Sequence, residues 1–196
     1  MPRAKGHDTL SDPKRLLPIV AAAFAQLGYR RATTAQLADR CGVRENILYR
    51  AWPSKKTMFL AAIDHVFEVS LRRWQQLLGS ADEAAADAER LLDFESVHHG
   101  EFGLYRIVFT GLSETDDPEI RTALRTMYQR FHRFIVQQLA AGGSARRPAD
   151  PELAAWTFVG MGTISNISRE LRLFSADDRR RFFHEIGRLL LRRGKD

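Results

Sequence analysis

Apolar residues recur at three- and four-residue intervals along nearly the whole chain. Leu16, Val20, Ala23, Phe24 and Leu27 share one face of a first helix, which Gly28 closes with a C-terminal cap. Pro18 falls inside this run and is tolerable if the regular helix starts only about one residue before it. Thr33-Thr34-Ala35-Gln36 fits a capping box, Thr33 as N-cap and Gln36 reaching back, and opens a short helix that runs to about Cys41. Gly42 makes a tight turn. The stretch GVRENILYR (42–50) then predicts a third helix, ended by Pro53, because the residue before a proline is pushed out of the helical region. Ser54 can cap a fourth helix carrying Met58, Phe59, Ile63, Val66 and Phe67 toward Trp74 and Leu78. Past a break at Gly79-Ser80, helices are predicted at 82–95, 101–113, 118–141, 151–172 and 176–193. Asp116-Asp117-Pro118, the Gly142-Gly143-Ser144 to Pro151 stretch and Phe174-Ser175 punctuate them. No segment alternates at period two. The expected fold class is all-α, with about nine or ten helices.

Composition narrows the class. The 196 residues suit one domain or two small ones and can bury a sizeable core. The 44% apolar content is a globular value. A single cysteine, Cys41, excludes an internal disulfide framework and fits a reducing compartment. No apolar run approaches the ~18 residues of a membrane span, and no signal-peptide pattern opens the chain, so the expected location is the cytoplasm, with no membrane partner. The net charge of +6 is unevenly spread. Residues 1–60 hold eleven Lys/Arg against four Asp/Glu, and residues 61–196 hold nineteen against twenty. A basic lobe on a near-neutral body is the electrostatic footprint of a nucleic-acid binder.

Two short helices joined by a glycine turn make a helix-turn-helix. In Ala38-x-x-x-Gly42 the small residue lets the helices cross closely, and the glycine permits a turn that a side chain opposes. Leu37, Val43, Ile47 and Leu48 can face inward, which leaves Arg44, Glu45, Asn46, Tyr49 and Arg50 to the outside, on a rod sized for a major groove. Arg44, Glu45 and Asn46 are the expected base readers, Arg44 toward guanine, Asn46 toward adenine, Glu45 accepting from cytosine or orienting Arg44, while Tyr49 and Arg50 can reach phosphate or base. Thr33 and Thr34 stand at a helix N-terminus, which favours a phosphate, and Lys55 adds another expected backbone contact.

These residues carry a resemblance. The segment from about 14 to 63 resembles the DNA-binding domain of the TetR/AcrR family of transcriptional repressors. The pieces are Phe24 to Tyr29 (F-x-x-x-G-Y), Thr33 to Ala38 (T-T-x-x-L-A), Gly42-Val43, Leu48-Tyr49, Trp52 and Ser54-Lys55. Two positions depart from the family pattern: Arg44 stands where Ser or Thr is common, and Ala51 where His is frequent. The resemblance implies an all-helical homodimer with two DNA-binding heads and a C-terminal domain for a small effector and for the partner subunit. It supports Thr33, Tyr49 and Lys55 as phosphate contacts and residues 44–46 and 50 as groove-facing. The implied division is an arm at 1–12, a three-helix DNA-binding domain at 13–55, and an effector-binding and dimerisation domain at 56–196 reached through the fourth helix.

The C-terminal half offers two apolar stripes for subunit pairing. One runs Ile120, Leu124, Met127, Phe131, Phe134, Ile135 and Leu139; the other runs Leu153, Trp156, Val159, Ile164, Ile167 and Leu171, with Gly160 and Gly162 permitting close approach. Helices 118–141 and 151–172 are the expected homodimer surface, and two heads at successive major grooves match a palindromic double-stranded operator. Phe94, His98, Phe102, Tyr105, Phe109, Met127, Phe131 and Trp156 are the expected lining of an effector pocket, although a dry core would use the same residues. His98-His99 is not read as a metal site, since adjacent helical side chains diverge by about 100°. No cofactor is expected, and no motif of enzyme chemistry is present. The competing reading is a constitutive DNA-binding or architectural protein without an effector; a weaker one is a small helical enzyme with an incidental helix-turn-helix.

Overall fold

The computed structural model describes residues 12–78, 84–101, 103–141 and 148–191, and the side chains of these apart from 84–89 and 191. The predicted arm to residue 11, the Gly79-Ser80 break and the Gly142–Ser144 stretch lie outside them. The described elements are all helices: α1 (Pro13–Leu27), α2 (Thr34–Cys41), α3 (Glu45–Ala51), α4 (Lys55–Leu77), α5 (Ala84–His98), α6 (Tyr105–Leu112), α7 (Pro118–Ala141), α8 (Pro151–Leu171) and α9 (Ala176–Leu191). The fold is all-α.

Helix ends follow local chemistry. The side chain of Asp12 accepts from the Lys14 amide at 3.0 Å, and Pro13 occupies the first turn, where its missing N–H costs nothing. The first helix therefore begins well before Pro18, contrary to the sequence expectation; Pro18 is exposed, so water can serve the carbonyl its ring deprives. The capping box at Thr33 and Gln36 forms in both directions, at 3.2 and 3.0 Å. Gly42 ends α2 in the left-handed region at φ 65°. Arg44 stands at the N-cap of α3 without a side-chain capping bond, as an arginine must. Ser54 and Thr57 cap α4 reciprocally, each backbone N–H donating to the other's hydroxyl at 3.1 and 3.0 Å. The sixth helix is shorter than predicted because Gly100 and Gly103 adopt positive φ, at 72° and 66°, which no helix continues through.

The chain divides into two compact units. Of the described residues, those at 12–68 and 103–127 form the first, and those from 69 to 101 and from 128 to 191 the second. The helix-turn-helix thus shares its unit with α6 and the start of α7, and both α4 and α7 begin in the first unit and end in the second.

In the first unit Val20, Phe24, Leu37, Leu48, Phe59 and Ile63 are fully buried. Phe59 meets Phe24 edge-on at 5.1 Å and Tyr29 at 4.7 Å. Gly111 lets α6 close on Leu124 of α7, whose nearest atom lies 3.2 Å from where a Cβ would stand. In the second unit Trp74 stacks on Phe134 at 4.9 Å, and Leu92, Met161 and Phe183 form one core. A polar lock runs beside that core. Glu95 accepts from the Trp74 indole at 2.7 Å and pairs with His99 Nδ1 at 2.5 Å, while His99 Nε2 lies 2.9 Å from the Gly162 carbonyl. Gly162 is required here: a Cβ would stand 2.8 Å from the His99 ring. Gly160, expected to serve a similar approach, instead faces open space within its own chain.

Two outcomes follow. A Cβ at Gly187 would lie 2.4 Å from Leu92, so Gly187→Ala should overpack the α5–α9 contact, costing about 1–3 kcal/mol and lowering the melting temperature by calorimetry. Desolvation works against ionisation of Glu95, but His99 and Trp74 outweigh it and hold its carboxyl below the ordinary range. A depressed carboxylate stabilises the fold above its unfolded pKa and loses that contribution as pH falls through the folded value. Melting temperature should therefore be level near neutrality and decline below about pH 4, and Glu95→Gln should be less stable at neutrality with a flatter acid limb.

Candidate nucleic-acid interface

The helix-turn-helix presents its polar residues as the sequence pattern requires. α3 has seven residues, too few to be stable in isolation. Leu48 is fully buried, and its burial is worth about 2–3 kcal/mol; Val43 and Ile47 are half-buried beside it. Arg44, Glu45, Asn46, Tyr49 and Arg50 are all exposed, Tyr49 by 43%. Arg40 of α2 donates to Gln26 of α1 at 2.6 Å and so fixes the helix behind the turn.

The expected phosphate residues have more specific positions. Thr33 is exposed and its hydroxyl accepts from the Gln36 amide. Thr34 is half-buried; its hydroxyl donates to Glu45 Oε2 at 2.5 Å and accepts from the Tyr49 hydroxyl at 3.2 Å. The N-terminus of α2 is thereby joined to α3 through a chain of three side chains. Lys55 does not simply reach outward. Its ammonium donates to the carbonyls of Tyr29 and Ala32, both at 3.1 Å, and lies 4.8 Å from the centroid of the Tyr29 ring. It therefore clamps the α1–α2 connection, with one of its three protons left for a phosphate.

Sequence reasoning missed an acidic corner on the same unit. Arg30 donates to Glu114 at 2.7 Å, and Lys56 pairs with Asp117 at 3.2 Å and also with Glu119. The signal was the run Ser113-Glu-Thr-Asp-Asp-Pro-Glu119, which can be read as a helix start and nothing more. Asp117 does cap α7, accepting from the Glu119 amide at 2.9 Å. Desolvation opposes its ionisation, yet the Glu119 and Ile120 amides and Lys56 hold its carboxyl below the ordinary range. Two of the basic groups in residues 1–60 are thus paired with carboxylates within the unit, so the basic excess available to a polyanion is smaller than the sequence count.

Residues 20–62 match the family described as bacterial regulatory proteins, tetR family. The chain is 24% identical over 143 residues to the HTH-type transcriptional repressor KstR2 of Rhodococcus jostii, covering 71% of this chain and 70% of that protein. It is 41% identical over 58 residues to the nucleoid occlusion factor SlmA of Haemophilus influenzae, 30% of this chain and 27% of that one. In fold it is similar to a TetR-family transcriptional regulator from Rhodococcus sp., with a TM-score of 0.75 at 20% identity over 91% of this chain and 97% of the other. A TetR-family regulator from Agrobacterium tumefaciens gives 0.74 at 10% identity, over 94% and 98%. Residues 20–62 thus carry the segment by which the tetR family of bacterial regulatory proteins is defined.

The expected effector residues do not fall in one compact unit. Tyr105, Phe109 and Met127 belong to the first, where Tyr105 and Phe109 meet edge-on at 5.7 Å and Met127 is buried. Phe94, His98, Phe131 and Trp156 belong to the second. There Phe94 packs on the His98 ring at 4.6 Å, Phe131 meets Trp74 at 5.6 Å, and Trp156 is exposed and stacks on His132 at 4.4 Å. Phe102 lies outside the described residues. The two adjacent histidines diverge, His98 pairing with Glu101 and His99 with Glu95.

Since Lys55 holds two backbone carbonyls, Lys55→Ala should destabilise the fold as well as weaken DNA binding. Losing hydrogen bonds from a charged donor costs about 1.5–3 kcal/mol, readable as a left-shifted denaturation midpoint with an unchanged slope.

Proposed function

We propose that this regulator is a dimeric repressor whose two heads bind a palindromic DNA operator, and that a small, largely apolar effector releases it. It acts in the cytoplasm by binding, without catalysis. The observation that carries the reading is the set of exposed groups on α3: Arg44, Asn46 and Arg50 stand outward from a helix anchored by buried Leu48. Bidentate arginine and asparagine contacts discriminate bases, while Thr33, Thr34, Tyr49 and Lys55 hold the flanking phosphates. Residues 13–55 are the reading head, and the remainder serves dimerisation and effector binding.

The α8 stripe supports pairing of subunits. Leu153, Trp156, Ile164 and Leu171 are exposed by 64%, 46%, 37% and 64%, and exposed Gly160 interrupts them without a side chain. An unpartnered apolar row of this length on one helix is costly in water and suits a second copy. The matching stripe on α7 is largely used inside the chain, with Ile120, Leu124, Met127 and Leu139 buried, so α8 is the favoured surface.

An effector must bind the DNA-free state more tightly, by about 1.4 kcal/mol for each tenfold loss of operator affinity. α4, which starts beside the head and continues into the second unit, is the element through which such a bias acts. The second reading, a DNA-bound protein with no effector, draws on the 41% match to a nucleoid occlusion factor across the head. Thermal-shift screening of compounds, followed by release of DNA, separates the two.

Fluorescence anisotropy with duplexes from the region upstream of the protein's own gene tests the first reading. Affinity should fall steeply with salt, and Arg44→Ala should cost about 1–3 kcal/mol on the preferred site while flattening sequence preference. Leu153→Lys with Ile164→Lys should shift the protein from dimer to monomer in sedimentation equilibrium and weaken operator binding; a dimer that persists would move the interface elsewhere.

A further inference from the structure

The side-chain chain on the head has a direction. An ionised carboxylate only accepts, so Thr34 must donate its single hydroxyl proton to Glu45 Oε2, 2.5 Å away. Thr34 then offers only lone pairs inward, and Tyr49 donates its own proton to them at 3.2 Å. Both hydroxyls expected to grip a phosphate have their protons committed to this chain, and the chain ends on a negative charge. Glu45 and Tyr49 are nonetheless exposed, four residues apart on α3, so rotation about side-chain bonds is enough to break it.

We propose that Glu45 is a specificity-determining residue that withholds the Thr34 and Tyr49 protons from DNA phosphate until a base-edge donor recruits its carboxylate. This rests on the proposed DNA-binding reading of α3. On an unmatched duplex Glu45 stays on Thr34, and neither hydroxyl can donate. Where the groove presents an amino donor such as cytosine N4, the carboxylate turns to it, Thr34 and Tyr49 are released together, and both donate to the flanking phosphate. Base reading and phosphate gripping are thereby coupled, and the penalty falls on wrong sequences.

The test uses the full-length protein, a duplex selected by it from a random library, and a scrambled duplex of the same composition. Glu45→Ala should tighten binding to the scrambled duplex by about tenfold, the size of one charge-assisted hydrogen bond gained, and narrow the ratio between the two duplexes. In a Thr34→Val/Tyr49→Phe background the same substitution should change scrambled-duplex affinity by less than about twofold, because no hydroxyl remains to release. Glu45→Gln, which keeps an acceptor and loses the charge, should give a smaller gain than Glu45→Ala. A full gain persisting in the Val/Phe background reduces Glu45 to simple repulsion and overturns the proposal, as does no gain at all. If the wild-type protein selects no duplex, the DNA-binding reading itself fails; if it selects one and Glu45→Ala changes nothing, only the role of Glu45 does.

Discussion

The head depends on one constraint: a seven-residue helix cannot persist in water unless its neighbours hold it. α3 gets that support from one fully buried leucine, two half-buried aliphatic residues and the hydroxyl–carboxylate chain from α2. Support from behind frees the other face. Arg44, Asn46 and Arg50 stand exposed there. Support and the proposed recognition are divided between two sides of the same two turns.

The same economy governs the surroundings of the head. Lys55 spends two donors on backbone carbonyls of the α1–α2 connection, where main-chain acceptors have no helical donor of their own. Arg30 and Lys56 are taken up by the acidic corner before α7. Cations that hold the head to its own unit contribute less to a polyanion. Exposed ion pairs of this kind add little stability singly; their consequence is to set where positive charge is available.

In the second unit the close contacts are made by glycine and by buried polar partners together. Gly162 admits the His99 ring and supplies its carbonyl, while Glu95 joins that ring to Trp74. Such a network fixes the relative positions of the three helix segments that carry it, because each member satisfies the other. The apolar row left exposed on α8 belongs to a different face of the same helix, so internal packing and the proposed pairing of subunits do not compete for the same residues.

Local rules made much of this legible in advance. The capping box at Thr33, the left-handed glycine at 42 and the outward set on α3 depend on neighbours within about four residues, which periodicity and capping chemistry resolve. Pro18 misled because its tolerance depends on which face meets water, and the short α6 because glycines at 100 and 103 were free to choose the left-handed region. Long-range pairing lay beyond the sequence. That Lys55 would turn to Tyr29 and Ala32, that Arg30 would meet Glu114 across 84 positions, and that Thr34 would give its proton to Glu45 were decided by where packed helices bring side chains together. Sequence by itself determined the helices, their caps and the residues exposed on α3, because those are set by one turn of backbone. Tertiary structure alone decided which of those residues are already engaged, because a hydrogen-bond partner is a matter of distance in space.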